Sequence, residues 1–364
     1  MIRKILDGSR NLLEERPGWR LFKPALDAID NFLFGSPEVT SGAPHIRDHI
    51  SLKRYMITVI IAVTPAALAS IYFFGWRVLV IIVASYVFGV GIEWIFAAVR
   101  REEIYEGAFV TCILYPMILP PTVPLWVAAL GIVFGTIFGK EVFGGTGKNL
   151  FNPALVGRVF IAIAFPSMMT ARWHEPISGT LGGFTAYSPE GITSATPLID
   201  FKGKGEIASY WKLFVGSVPG CLGETSKLLI LLGGIFLMVT KVSNWRIPVT
   251  YLASVAIFSF IAQFIWPERF APPLFQLLSG GLLFGAMFMA TDPVTCTMTR
   301  AGKWIYGSLL GVVTMTIRGF SGYVEGVMFA ILLMNIFAPL IDNAVLSRIS
   351  SEPTTETQRH RGGA

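Results

Sequence analysis

Charge is what this sequence has least of: 14% of its 364 residues are Asp, Glu, Lys or Arg, against 53% hydrophobic, where soluble domains carry about 25% charged residues. That shortage excludes an ordinary water-soluble globule. Cysteine is scarce as well. Cys112, Cys221 and Cys296 stand far apart with no CxxC among them, so neither a disulfide framework nor an iron or zinc centre is signalled, and no metal site is expected. The four histidines show no ligand spacing beyond His45 and His49 at i and i+4, which read as surface residues. A Ser, His and Asp set for hydrolysis is missing, and so is a short basic, apolar and cleavable leader. The net charge of +6 is scattered between apolar runs rather than gathered on one face, which excludes a nucleic-acid-binding surface. Alternating segments of about ten residues, the mark of a transmembrane barrel, are also absent.

Long apolar runs, in contrast, are abundant. Tyr55 to Gly75, Val78 to Ala98, Pro124 to Phe138 and Ile247 to Trp266 approach the ~20 residues needed to cross a ~30 Å hydrocarbon layer. The pattern predicts ten membrane segments, near 55–75, 78–98, 107–121, 124–143, 151–169, 226–241, 247–266, 274–290, 304–317 and 323–342. Ahead of them, Trp19, Phe22, Leu26, Ile29 and Leu33 recur at helical spacing with charged residues between, an amphipathic helix suited to the membrane surface or a partner. Most of the 29 Lys and Arg fall on one side of this scheme. The positive-inside rule then puts both termini in the cytoplasm and the polar loop 170–225 in the periplasm.

Internal similarity adds architecture. Trp76-Arg77 with Ala84-Ser85 recurs as Trp245-Arg246 with Ala253-Ser254, and Leu130-Gly131-Ile132-Val133 with Gly139 recurs as Leu310-Gly311-Val312-Val313 with Gly319. Five segments per half is an odd number, so the halves enter the membrane from opposite sides. The expected fold is an all-α polytopic membrane protein of about ten helices in two inverted five-helix repeats, as in a urea transporter. Its parts are a cytoplasmic amphipathic segment 1–54, repeats at 55–169 and 226–342, the loop 170–225 and a cytoplasmic tail 343–364. Tyr115-Pro116, Pro120-Pro121 and Asp292-Pro293 break segments three and eight, and broken helices at membrane depth line protein or water rather than lipid.

Phe143-Gly144-Gly145-Thr146-Gly147-Lys148-Asn149 invites comparison with a phosphate-binding loop. Val142 replaces its first glycine and Asn149 its Ser or Thr, so a nucleotidase is not supported. The glycines instead allow backbone to approach backbone or a planar ligand, beside Asn149, Asn152 and Arg158. Gly131, Gly135 and Gly139 form a small-residue stripe that joins helices. Glu93, Glu141, Asp292, Glu325 and Asp342 lie in or at the edge of spans, where ionisable groups are costly and mark ion pathways, caps or ion pairs. For Glu141, next to Lys140, an ion pair is the leading reading. Thr196, in the run Gly183 to Leu198 of small and turn-forming residues, offers an accessible hydroxyl.

Taken together, these stretches resemble the B-type membrane subunit of the sodium-translocating NADH:quinone reductases, a family of bacterial inner-membrane complexes. The resemblance is carried by His45-Ile46-Arg47-Asp48 leading into Ser51-Leu52-Lys53-Arg54, by the run from Lys140-Glu141 through Gly144-Gly145-Thr146-Gly147-Lys148-Asn149 to Asn152-Pro153 and Arg158, by Ser194-Ala195-Thr196-Pro197-Leu198, and by Ala290-Thr291-Asp292-Pro293-Val294. It implies a redox subunit with FMN attached to Thr196 through a phosphoester, within a site of Ser194, Ala195, Pro197 and Leu198. Thr193 and Ser194 depart from the family's usual Ser or Asp and Gly. It further implies non-covalent riboflavin, a quinone or riboflavin region at Gly144, Gly145, Lys148, Asn149, Asn152 and Arg158, and a sodium path through Asp292, Asp342 and Glu141. The implied partners are an FMN-bearing periplasmic subunit, an NADH-oxidising flavoprotein, an FMN transferase for maturation, and lipid. The chain has no NADH-binding motif of its own. A related alternative is the D-type membrane subunit of the ion-translocating ferredoxin:NAD oxidoreductase. A channel of urea-transporter type without redox activity, or a structural membrane scaffold, would share the helix pattern.

Overall fold

The computed structural model describes residues 52–351 apart from 103, 171–172, 178, 180–181 and 188–192. The amphipathic stretch Trp19 to Leu33, the His45 to Asp48 motif and the tail from 352 lie outside the described residues. Within them, the two leading apolar runs form α1 (Leu52–Phe74) and α2 (Arg77–Arg100), turning at Gly75, whose φ of +86° is open to glycine. Then come α3 (Gly107–Met117), α4 (Leu125–Gly139), and, after the glycine-rich loop, α5 (Pro153–Ala164) and the short α6 (Pro166–Thr170). Asn152 starts α5 by accepting from the Ala154 and Leu155 amides, ahead of a proline at the first turn.

The expected periplasmic loop has structure of its own. Trp173–His174 (β1) pairs antiparallel with Thr193–Ser194 (β2), followed by α7 (Pro197–Lys204) and α8 (Tyr210–Val215). The loop is stitched to the α1–α2 turn: Trp76 N donates to Ala186 O at 3.0 Å and Arg77 N to Tyr187 O at 2.8 Å. Gly183 lies so near that a Cβ there would sit 2.4 Å from Gly75 N and from Ile71 O.

The second half runs through α9 (Lys227–Val239), α10 (Arg246–Ile265), α11 (Pro273–Leu278), α12 (Leu282–Phe284) continuing as a π-helical turn (Gly285–Met289), α13 (Arg300–Phe320) and α14 (Val327–Ser351). Among the described residues, five helices are long and apolar enough to span a membrane: Leu52–Phe74, Arg77–Arg100, Leu125–Phe143, Arg246–Ile265 and Val327–Arg348. Gly107–Met117, Pro153–Ala164 and Lys227–Val239 are apolar but shorter. Two expected segments differ from continuous spans. Segment three ends at Met117, directly after Pro116. Segment 274–290 is broken around Gly280, which has a φ of +67°, and resumes as α12.

The small-residue stripe joins α4 to α5: a Cβ on Gly135 would lie 2.3 Å from Pro153 O, and one on Gly157 2.3 Å from Gly131 O. Helices α10 and α13 pack at equal intimacy, and α1 packs on α9. Outward, Val87, Val99, Val239 and Phe264 are exposed, an apolar surface suited to lipid rather than water.

Candidate functional site

Two chain breaks position the site. Where α3 ends, its freed carbonyls find protein donors: Arg158 Nε to Ile118 O at 2.7 Å, Arg77 Nη2 to Val123 O at 3.0 Å, and Leu222 N to Leu119 O at 3.0 Å. Irregular backbone deep in a bundle is tolerated on that condition. The second break puts the loop 291–299 between the π-helical turn and α13.

The glycine-rich loop folds back over the ends of α2 and α4. Gly144 and Gly145 have φ of 110° and 91°, so it is backbone conformation that calls for glycine here. Buried ion pairs anchor the loop. Lys140 Nζ donates to Glu93 Oε1, both side chains almost completely enclosed, and Arg100 holds the Glu141 carboxylate at 2.7 Å as well as the Glu141 carbonyl. The expected ion pair of Glu141 thus exists, but with Arg100 on another helix. The adjacent Lys140 serves Glu93.

Asp292 opens the loop 291–299, accepting from Val294 N and Thr295 Oγ1, each at 3.1 Å. Asp342, on α14, grips the other end of that loop through Met298 N at 2.6 Å, Thr299 N at 3.0 Å and Thr299 Oγ1 at 2.5 Å. Between these elements is a cleft of about 80 Å³, with Lys140, Thr146, Asn149, Asn152 and Asp292 among its polar lining. Two features that were separate in the sequence, the glycine-rich run and the Asp292-Pro293 break, therefore share one space. Sequence reasoning missed Tyr55, Thr111 and Ser243, which also face it. Only the long-range fold brings them there. Beside it, a wider vestibule of about 470 Å³ is lined by Tyr55, Lys241, Asn244, Thr297 and Lys303.

Not all the expected residues converge. Gly144, Gly145 and Lys148 do not line the cleft: Lys148 is exposed, and Gly145 is buried towards Arg100 and Glu141. Arg158 points away to the opposite end of the bundle, into a second cavity beside Cys221 and Glu224. Glu141 is held by Arg100 instead of facing the cleft, and Asp342 reaches the site through the loop it grips.

Thr196 is on the opposite face, within the loop. It caps α7, its Oγ1 accepting from Ile199 N at 3.4 Å, and is 9% exposed, so the hydroxyl expected to be accessible is instead buried by its role as a helix cap. Ala195 is half-buried, Pro197 and Leu198 are buried, and Leu198 packs with Phe201, Leu213, Ala271 and Phe275. The Thr193–Ser194 strand enters this cap from the ladder with Trp173–His174.

Broken helices around an interior cleft that sets a few polar groups in a mostly apolar lining, with an apolar outer surface, define a class: polytopic membrane proteins with a site inside the bundle. Within that class the comparisons are specific. The model of the NQR2, RnfD, RnfE family matches residues 39–350. A protein of Pseudomonas aeruginosa (strain LESB58), described as the B subunit of a Na(+)-translocating NADH-quinone reductase, is 36% identical, covering 95% of this chain and 96% of its own length. Proteins of the same description from Yersinia pestis and Azotobacter vinelandii are each 36% identical, over 93% and 95% of this chain. The chain belongs to the NQR2, RnfD, RnfE family.

Proposed function

We propose that this chain is the membrane redox subunit of a sodium-translocating NADH:quinone reductase, taking electrons through FMN on Thr196 and through riboflavin to quinone, coupled to sodium export across the bacterial inner membrane. The observation that carries the reading is end-to-end likeness to relatives described as the B subunit of such an enzyme, over 95% of the chain. As in a multisubunit reductase, NADH oxidation falls to partners, including a flavoprotein and an FMN-bearing periplasmic subunit.

The residues around Thr196 suit a phosphoester. Its Oγ1 already stands at the N-terminus of an eight-residue helix, accepting from the Ile199 amide, where the positive end of the helix dipole favours a phosphate. When bound, a flavin supplies one- and two-electron transfer. The chain's contribution is to hold the attachment point: Pro197 fixes the first turn of α7, and Leu198 anchors it to the cluster with Phe275. The cleft beneath the glycine-rich loop is the proposed quinone or riboflavin region, with Asn149 and Asn152 as hydrogen-bonding groups. Asp292 is the proposed sodium ligand there. Asp342 holds the far end of its loop, and Glu141 keeps the glycine-rich loop in place through Arg100.

The architecture we infer is two inverted repeats, 55–169 and 226–342, flanking a periplasmic loop 170–225, with both termini cytoplasmic. In support, α2 packs on α4 as α10 does on α13, α4 on α5 as α13 does on α14, and the recurring Trp76 and Trp245 both stand immediately before a helix. The ends of α2 and α4, the start of α1 and the loop 291–299 form one face, and the loop bearing Thr196 forms the other.

In-gel flavin fluorescence of the denatured chain, co-expressed with the family's FMN transferase, tests the reading. Wild type should fluoresce and Thr196→Ala should not. A dark wild-type band argues for a channel without redox activity, and flavin without bound quinone argues for the ferredoxin:NAD oxidoreductase relative.

A further inference from the structure

The second cavity, of about 30 Å³, opens among the ends of α3, α5, α12 and α14, with Arg158, Cys221, Glu224 and Glu325 in its lining. Glu224 closes the 3-10 turn Leu222–Glu224 ahead of α9, and Glu325 precedes α14. Cys221 Sγ and oxygens of the two carboxyl groups all lie within 4.8 Å of one another. Glu224 is 6% exposed, and its Oε1 has no hydrogen-bond partner. Independently, Arg158, 4% exposed, leaves Nη1 without a partner in the same cavity.

Three basic side chains surround the acids but are occupied elsewhere. Lys227 Nζ donates to Glu224 O at 2.7 Å and Gly280 O at 3.1 Å. Arg318 donates to Gln276 O at 2.8 Å, Gln276 Oε1 at 3.0 Å, Glu325 O at 3.0 Å and Ser279 O at 3.2 Å. Arg158 Nε serves Ile118 O. The ion pairs among the described residues join other side chains. Of the acid oxygens, Glu325 Oε1 accepts from Gly281 N at 3.1 Å.

Two carboxylates this close, with little water, do not both ionise readily. Either a cation or a proton can relieve them. A hard cation needs a cage of oxygens, yet the nearby carbonyls that would complete one already accept from Lys227 and Arg318, and three basic groups repel it. A proton needs only the two carboxyl groups.

We propose that Glu224 and Glu325 form a proton-binding site that holds one proton between them and exchanges it with water through the cavity beside Arg158. The O–H of one carboxyl donates to the carboxylate of the other. Loading takes one proton from water and changes no other bond. The cavity exceeds the roughly 10–15 Å³ that a single water requires, and the free Arg158 Nη1 and Glu224 Oε1 supply its donor and acceptor. The groups facing the pair are Cys221, Lys227 from α9, Arg318 from α13 and Arg158 from α5.

Infrared spectra of the purified full chain with its co-eluting subunits, recorded in H2O and D2O, test this. Wild type should show a deuterium-sensitive carbonyl stretch of a protonated carboxyl that is lost in both Glu224→Gln and Glu325→Gln, since a single carboxyl among Lys227, Arg318 and Arg158 has no second carboxylate to share a proton with and ionises. The Tm of Glu224→Gln should stay at the wild-type value, because a neutral amide replaces a neutral carboxyl. A band that persists in both variants overturns the proposal. So does its absence from wild type together with a lower Tm in both variants, the signature of two ionised carboxylates balancing the bases. Should a glutamine variant fail to accumulate, Glu325→Asp keeps the acid and shifts its geometry: the band should move, and an unmoved band overturns the proposal equally.

Discussion

The two ends of the bundle solve the problem of buried charge in opposite ways. Where the glycine-rich loop is anchored each acid has its own base, Glu93 with Lys140 and Glu141 with Arg100. On the loop-bearing face Lys227 and Arg318 bind backbone carbonyls at the helix break, and Glu224 and Glu325 are left facing each other. A base that neutralises an acid locks a position. A base that serves carbonyls stabilises a chain break and leaves the acids free to change protonation.

That contrast can be broken by substitution. The largest effect is expected for Arg318→Met, which leaves the carbonyls of Gln276, Ser279 and Glu325 without this donor, at about 1–3 kcal/mol for each buried group left unsatisfied. Thermal unfolding in detergent should show the steepest fall in Tm of the set, and replacing Glu325 as well should not restore it. Next comes Lys140→Met, which strands Glu93 at a cost of about 3–5 kcal/mol. Here the double variant Lys140→Met with Glu93→Leu should recover most of the loss, since an apolar pair replaces the ionic one. Rescue of Arg318→Met by the loss of Glu325, or failure of rescue at Lys140, would erase the distinction. The smallest effect is expected for Glu141→Gln, about 1 kcal/mol, because Arg100 is partly exposed and keeps its bond to the Glu141 carbonyl.

Much of this was legible in the chain, and the remainder has a physical reason. Apolar runs located α1, α2, α4, α10 and α14 because lipid imposes their length and composition locally. Pro116 marked the end of α3, and Pro293 lies in the loop beyond the π-helical turn. The small-residue stripe on α4 announced its contact with α5. Partners were not legible: Lys140 next to Glu141 suggested a pair that the fold redirects to Glu93 and Arg100, 47 and 41 residues away. A count of charges for topology gives Lys227 and Arg318 the weight of solvated residues, yet they are 1% and 5% exposed. A tally of charge by segment does not distinguish a solvated lysine from one bound to carbonyls. Glu224 passed unnoticed because it lies in what reads as a loop, and its neighbour Glu325 is a hundred residues on. The two-residue ladder that leads into Thr196 is too short to leave a periodic trace.

The contact of Gly183 with the α1–α2 turn has a consequence for Thr196. A loop tied to its bundle at backbone distance, through Gly75, Trp76 and Arg77, is not an arm that swings. Anything carried at Thr196 inherits a fixed height above the helices, as a mast does from its step. Electron transfer weakens steeply with distance, so for the flavin proposed at Thr196 that seating would act as a gauge: a bulkier residue at Gly183 would lift the mast and change the distance to the next carrier.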